Sequence, residues 1–327
     1  MGRVFSIGEA LIDFIPAEKG VRLKDVSAFG KAAGGAPANV ACAVARLGGR
    51  SGFIGKLGTD AFGDFLVDTM ESAGVDTRYV FRTGEANTAL AFVSLKTDGN
   101  RDFSFYRSPS ADMLLSEEEI NEGWFEAGDI LHFCSCDLVE APVKYAHRKA
   151  IAAVKSRGGF VSFDPNVRLP LWKDAEECRR TIHEFLPLSH LVKVSEEELE
   201  FITGLSDEEQ AIISLFQGDV QHVIYTRGAN GADWYSKDFT ASVPGRKVTA
   251  VDTTGAGDAF VGALLYKLHL EPQEGRLDVI GYGQALGILS FANAAAAITT
   301  TRAGAVPSLP SLSEVEAAIA ACPPSSL

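Results

Sequence analysis

The sequence predicts an α/β fold in which a mainly parallel sheet is covered by helices. The main observation is rhythm. From Asp129 onward, short apolar runs near 129–134, 160–164, 190–194 and 221–226 alternate with helical patterns near 141–157, 174–187 and 196–203. Such alternation builds parallel strands joined by right-handed crossovers, with ligands outside the strands' carboxyl ends. The second observation is size. A chain of 327 residues, 46% hydrophobic and 22% charged, sustains a large core, and residues 1–327 read as a single domain. A net charge of −13 argues against nucleic acid or an anionic membrane as partner. The five cysteines (Cys42, Cys134, Cys136, Cys178, Cys322) are scattered, and Cys134-Ser135-Cys136 has neither zinc nor redox spacing. All five are expected to be reduced. The segment Met1 to Ile7 lacks a signal-peptide or transit pattern, and no apolar run approaches a membrane span of about 18 residues. A cytoplasmic protein is expected.

In chain order, Val4 to Ile7 reads as a buried strand ending at Gly8-Glu9 and followed by Leu11-Ile12-Asp13-Phe14. Asp13 either closes that strand or offers two acceptor oxygens to a ligand. Residues 15–30 are turn-rich and suit a small appended sheet. Gly34-Gly35-Ala36-Pro37-Ala38-Asn39 opens a helix from Ala36 to Leu47, with Pro37 in its first turn and Gly48-Gly49 closing it. The paired glycines either make a turn and cap or let a ligand approach beside Asn39. Thr88 to Leu95 and Phe103 to Tyr106 alternate around Asp98-Gly99-Asn100, a hairpin signal that breaks the βα rhythm. This hairpin is predicted to leave the main sheet and, with residues 13–33, to form a lid made of segments 13–33 and 88–107.

After the strand at 160–164, Asp164, Asn166 and Arg168 follow at a spacing of two, more polar groups than a proline turn needs. Lys193-Val194-Ser195 leads into Glu196-Glu197-Glu198, where Ser195 and Glu198 form a capping-box pattern. Val223 to Thr226 enters a glycine turn at Gly228 and Gly231. A long apolar helix around Ala285 to Ile298 has Asn293 as its main polar member.

The chemistry-bearing stretch is Asp252-Thr253-Thr254-Gly255-Ala256-Gly257-Asp258, which opens an apolar run of helical spacing. Glycines at a helix mouth leave amide hydrogens for an anion. An acid there repels a bound phosphate, so Asp258 is either an ordinary first-turn acid or a base beside an anion hole made by Gly255, Ala256 and Gly257. No P-loop, kinase catalytic loop or dinucleotide glycine motif is present.

The stretch Asp252 to Phe260 resembles the C-terminal signature of the PfkB, or ribokinase-like, family of sugar kinases. Gly34 to Asn39, with Phe53-Ile54-Gly55-Lys56-Leu57-Gly58-Thr59-Asp60-Ala61-Phe62-Gly63, is similar to its N-terminal signature. Tyr106-Arg107, Ala111-Asp112, Asp164 to Trp172 and Lys193-Val194-Ser195 resemble the fructokinase branch. The resemblance runs from Gly8 to about Pro310. It implies a ribokinase-like three-layer αβα sandwich with a mainly parallel central sheet and a small β-sheet lid. The implied reaction is transfer of the γ-phosphate of ATP to the 6-hydroxyl of D-fructose. Related readings are a 2-keto-3-deoxygluconate or riboside kinase, and a non-catalytic regulatory relative.

By the same resemblance, Asp258 is the base, Gly255, Ala256 and Gly257 form the anion hole, and Arg168 lies near the transferred phosphate. Asp13, Gly34, Gly35, Asn39, Arg107 and Asn166 bind sugar. Lys193, Glu198, Thr226, Gly228, Gly231, Gly255, Gly257 and Asn293 serve the nucleotide. Glu198 organises Mg2+ indirectly, although Ser195 stands where the family usually has asparagine. Asp252, Thr254, Thr299, Gly304 and Ser308 hold a monovalent cation, K+. A homodimer through the lid is also implied.

Overall fold

The structure is a computed structural model describing residues 2–18, 20–95, 101–270 and 280–321. The expected turn at Asp98-Gly99-Asn100 and Cys322 lie outside these residues. The chain runs through β1 (Val4–Ile7), β2 (Leu11–Pro16), β3 (Phe29–Gly34), α1 (Ala36–Arg46), β4 (Ser51–Gly58), α2 (Ala61–Ala73), β5 (Val80–Thr83), β6 (Leu90–Leu95) and β7 (Arg101–Tyr106). It continues as β8 (Ile130–Cys134), α3 (Pro142–Ser156), β9 (Phe160–Asp164), α4 (Ala175–Phe185), β10 (Leu191–Ser195), α5 (Glu196–Thr203), α6 (Glu208–Ser214) and β11 (His222–Thr226). The remainder is β12 (Gly231–Ser236), β13 (Thr240–Pro244), α7 (Ala256–Leu270), α8 (Tyr282–Thr300) and α9 (Leu312–Ala321).

The strands form a nine-stranded sheet in the order β13-β12-β11-β10-β9-β8-β1-β4-β5. It is parallel from β11 to β5, and β12 and β13 add an antiparallel margin. Both faces are covered, so its central strands are buried along their whole length, as β1 and β8 show. One face packs Val143, Ile151, Ile182, Phe185, Leu199 and Ile202 from α3, α4 and α5. The other packs Val40, Val44, Phe260, Leu264, Ile288 and Leu289 from α1, α7 and α8. These are the three layers expected. Helices α7 and α8 lie between the sheet and other helices, which is why both are apolar nearly all round.

A second sheet, of order β3-β2-β6-β7, leaves the main one as expected. β2 and β3 pair antiparallel, β2 and β6 parallel, β6 and β7 antiparallel. Phe14, Phe29, Phe92 and Tyr106 join across it, with Phe14 and Phe92 stacked at 4.9 Å and Phe92 and Tyr106 edge-on at 5.1 Å.

The chain grows from β1 to β4 and β5 on one side and from β8 to β11 on the other. The reversal falls between β1 and β8, and a doubly wound sheet binds ligands outside the strand ends at that point.

Candidate active site

A cavity of about 680 Å³ opens there. Its walls come from the end of β1 (Glu9), from β2 (Leu11, Asp13), from α1 (Gly35, Asn39) and from the end of β7 (Phe105, Arg107). Asp164 ends β9 with Asn166 and Arg168 after it, Lys193 and Ser195 close β10, Glu198 sits in α5, and Thr253 to Asp258 open α7. Segments far apart in sequence thus converge on one space.

Asp258 stands in the first turn of α7, and Asn39 Nδ2 donates to its Oδ2 at 2.8 Å. Burial raises the Asp258 carboxyl above its ordinary range, against the opposing pull of Asn39, Arg168 and Lys193. A carboxylate raised in this way is a better proton acceptor than an exposed aspartate. Gly255 has φ +74°, and a Cβ there would lie 3.0 Å from Ala305. Only glycine therefore makes this turn without strain. The Ala256 N–H turns back to the Thr253 carbonyl at 3.3 Å, while Gly255, Gly257 and Asp258 line the cavity.

Asp13 reaches the cavity from β2. Gly34 acts one step behind it, since a Cβ on residue 34 would sit 2.1 Å from Asp13 Oδ2. Gly35, at φ +100°, precedes the first turn of α1. Asn166 adopts φ +45°, with its N–H on Asp164 Oδ1 at 3.1 Å. This sharp exit from β9 presents Arg168, whose own Nη1 donates to the Val167 carbonyl at 3.0 Å. Burial works against the Arg168 charge, but nearby Cys136, Asp258, Glu198 and Asp164 hold it firmly protonated.

Lys193 pairs with Asp164 Oδ2 at 3.1 Å and lies 4.0 Å from Glu198 Oε2. Burial pushes Asp164 up to about 6 in spite of the Lys193 charge. For Glu198 burial is outweighed by Lys193 and by hydrogen bonds, so its carboxyl lies below the ordinary value. Those bonds are the Val167 N–H on Oε1 at 2.7 Å and the Ser195 N–H and Oγ on Oε2 at 3.0 and 2.9 Å. The expected capping box is present. It leaves an ionised carboxylate facing the cavity, which suits indirect support of a hydrated divalent cation.

The next strand end carries the other nucleotide candidates. Thr226 closes β11, and Gly228 and Gly231 turn at φ +50° and +105°. Asn293 Nδ2 donates to the Val243 and Pro244 carbonyls at 3.2 and 3.4 Å, so this amide also pins α8 to β13. Of the cation candidates, Asp252, Thr254 and Gly304 come together. Asp252 Oδ1 accepts from the Thr254 N–H and Oγ at 2.9 and 2.6 Å, and Oδ2 accepts from the Gly304 N–H at 3.0 Å. The Thr299 and Ser308 hydroxyls donate to the Ala295 and Ala305 carbonyls at 3.0 and 2.7 Å. Asp252 carries the single charge of this group, and Thr254, Thr299 and Ser308 contribute neutral hydroxyls.

Arg107 departs from its expected part. It borders the cavity, but its guanidinium is held by Asp112 and Asp137 and donates to the Cys136 carbonyl at 3.1 Å. It anchors the small sheet to the core. Sequence reasoning assigned no part to Glu9 or Asp137. Glu9 follows a strand like many turn acids, and its neighbours become visible only once β1, β7 and β8 meet.

A raised carboxyl and the glycine turn that opens α7 share one helix end, an arrangement suited to group transfer to a hydroxyl. The chain belongs to the pfkB family of carbohydrate kinases, which it matches over residues 1–312. It is 46% identical over 314 residues to probable fructokinase-2 of Arabidopsis thaliana, covering 94% of this chain and 93% of that one. The fold matches a fructokinase of Xylella fastidiosa with bound ATP at TM-score 0.90 and 38% identity, covering 98% and 99% of the two chains. A double-mutant fructokinase of Vibrio cholerae O395, with fructose, ADP and potassium ion bound, matches at TM-score 0.86 and 38% identity over 97% and 98%.

Proposed function

We propose that this protein is an ATP-dependent fructokinase, transferring the γ-phosphate of ATP to the 6-hydroxyl of D-fructose to give fructose 6-phosphate and ADP. The observation that carries this reading is the Asn39–Asp258 bond of 2.8 Å at the mouth of α7, inside the cavity. Asp258 takes the proton of the attacking hydroxyl, Asn39 fixes its carboxylate, and the amides of Gly255 and Gly257 face the charge that develops. Asp13, Gly34, Gly35, Asn39 and Asn166 form the sugar side. Arg168 and Lys193 face the phosphoryl group, and Thr226, Gly228, Gly231 and Asn293 lie on the nucleotide side. Glu198 would support a hydrated Mg2+, which would supply neutralisation of the triphosphate charge. A coupled assay tests the reading. ADP release should depend on fructose, and none above background with fructose would reject it.

The holding of Arg107 by Asp112 and Asp137, together with the placing of Arg168 at the phosphoryl group, supports a neutral sugar over 2-keto-3-deoxygluconate. A keto acid needs a cation for its carboxylate, preferably a bidentate arginine. Of the two candidate arginines, Arg107 is engaged by two aspartates and a carbonyl.

The Asp252, Thr254, Thr299, Gly304 and Ser308 region is the proposed K+ site, lying directly behind the Gly255 turn. Potassium should raise turnover severalfold over a tetraalkylammonium salt at equal ionic strength. Equal rates in the two salts would remove the site.

The small sheet, over segments 13–33 and 88–107, is the proposed lid, since Leu11, Asp13, Phe105 and Arg107 form one cavity wall. Fructose should slow amide exchange in these segments by closing the site against water. Unchanged exchange with sugar would mean a fixed wall. A homodimer through the lid is part of the same proposal. Sedimentation at micromolar concentration should give twice the chain mass, and a monomer mass would remove the dimer. A cytoplasmic location is supported by Cys42, Cys134, Cys136 and Cys178, which are all buried free thiols.

A further inference from the structure

Outside the path of the phosphoryl group, four ionisable side chains meet where the small sheet joins the core. Arg107 and Glu9 are 8% and 3% exposed, and Asp112 and Asp137 are buried as deeply. The Arg107 guanidinium is taken by Asp112 and Asp137. Glu9 Oε1 accepts the Ala36 N–H at 3.1 Å. Ala36 opens α1, and the residue at the cap position is Gly35, which has no side chain to cap with. Glu9 therefore caps the helix from the end of another strand. Among the described residues, neither Glu9 Oε2 nor Asp137 Oδ2 has a hydrogen-bond partner.

We propose that Glu9 is a positioning residue for phosphoryl transfer. Its carboxyl fixes the first turn of α1, and with it Asn39 against Asp258, beside the Arg107 anchor of the small sheet. The inference rests on the sugar-kinase reading of the cavity.

Three carboxyl groups face one guanidinium in a buried place, an excess of two negative charges, so burial favours a proton on at least one of them. The groups facing Glu9 are Arg107 and Asp112 after β7, and Cys134, Cys136 and Asp137 at the end of β8. On the α1 side it meets Gly35 and the Ala36 N–H. His147 of α3, beside Gly8, is pushed by burial down to about 4 and is neutral. Burial raises Glu9 to about 7, against the pull of Arg107. Asp137 is raised well above its ordinary value by burial, with Arg107 opposing. Burial thus favours the protonated form of both carboxyls, and Glu9 gives up its proton around pH 7.

The sign for stability follows. A carboxyl raised in the folded state binds its proton more tightly there than in the unfolded chain. Its contribution is full below the ordinary glutamate value and is lost as pH rises toward 7. Glu9→Gln keeps an acceptor for Ala36 and stays neutral at every pH, so it escapes that loss.

The experiment compares the wild type, Glu9→Gln and Glu9→Ala with fructose and ATP, and follows thermal unfolding from pH 5 to pH 8. Glu9→Ala should lower kcat by about tenfold, with KM for ATP within about twofold, because Asn39 is no longer set against Asp258. Glu9→Gln should restore kcat to within about threefold of wild type. Its Tm relative to wild type should rise as pH goes from 5 to 8. Wild-type kcat in Glu9→Ala overturns the positioning role. If Glu9→Ala does not fold, Glu9→Gln decides, and a tenfold loss of kcat or a Tm difference that ignores pH overturns the proposal. A wild type inactive on fructose would sink the fructokinase reading instead, and the Tm comparison still reports on the Glu9 carboxyl.

Discussion

Asp258→Asn is expected to lower turnover by roughly 10²–10⁴-fold while leaving ATP affinity nearly unchanged. The substitution keeps the size and shape of the side chain in the first turn of α7 and removes the proton acceptor. Asn39 Nδ2 would still find an amide oxygen where it now meets Oδ2 at 2.8 Å, so the helix mouth should hold. The glycine turn at Gly255 and its amides are untouched, and with them any binding of phosphate at the helix end. The loss should therefore fall on kcat rather than on KM for ATP. Turnover close to wild type would remove Asp258 from the mechanism. A large rise in KM for ATP with unchanged kcat would instead make it a binding residue.

The central strands were legible because parallel strands buried on both faces read as unbroken apolar runs. Val4 to Ile7 and Phe160 to Asp164 fall where the sequence puts them. The sequence reading identified no helix at α2, although Phe62, Phe65, Leu66 and Met70 have helical spacing. Asp60 explains the glycine signature of this stretch physically. It caps α2 through the Phe62 and Gly63 N–H groups and accepts from both Thr88 groups, joining the helix start to the approach of β6.

In the site, Asn39, Arg168 and Asp258 were legible because each sits in a motif with glycine or proline, whereas Asp13 was legible only through the family resemblance. Their meeting was not, since the Asn39–Asp258 bond joins residues 219 positions apart. Arg107 shows the other limit. A lone arginine after a strand looks like a ligand cation until Asp137, carried in by β8, is seen to hold it. Glu9 had no local signal at all, and its cap on α1 exists only in three dimensions.

The second large effect is the choice of sugar, and it tests the central claim most directly. A site built for the hydroxyls of a neutral sugar leaves buried polar groups unpaired when an analogue lacks a matching hydroxyl. Asp13, with its carboxylate seated over Gly34, and Asn39 provide such groups in this cavity. Arg107 cannot turn to a substrate carboxylate without abandoning Asp112 and Asp137 at a buried position. The deciding measurement is kcat/KM by ADP release for fructose, ribose, glucose and 2-keto-3-deoxygluconate under one set of conditions. The account predicts the fructose value to exceed each of the others by about tenfold or more. A higher value for 2-keto-3-deoxygluconate than for fructose would contradict it.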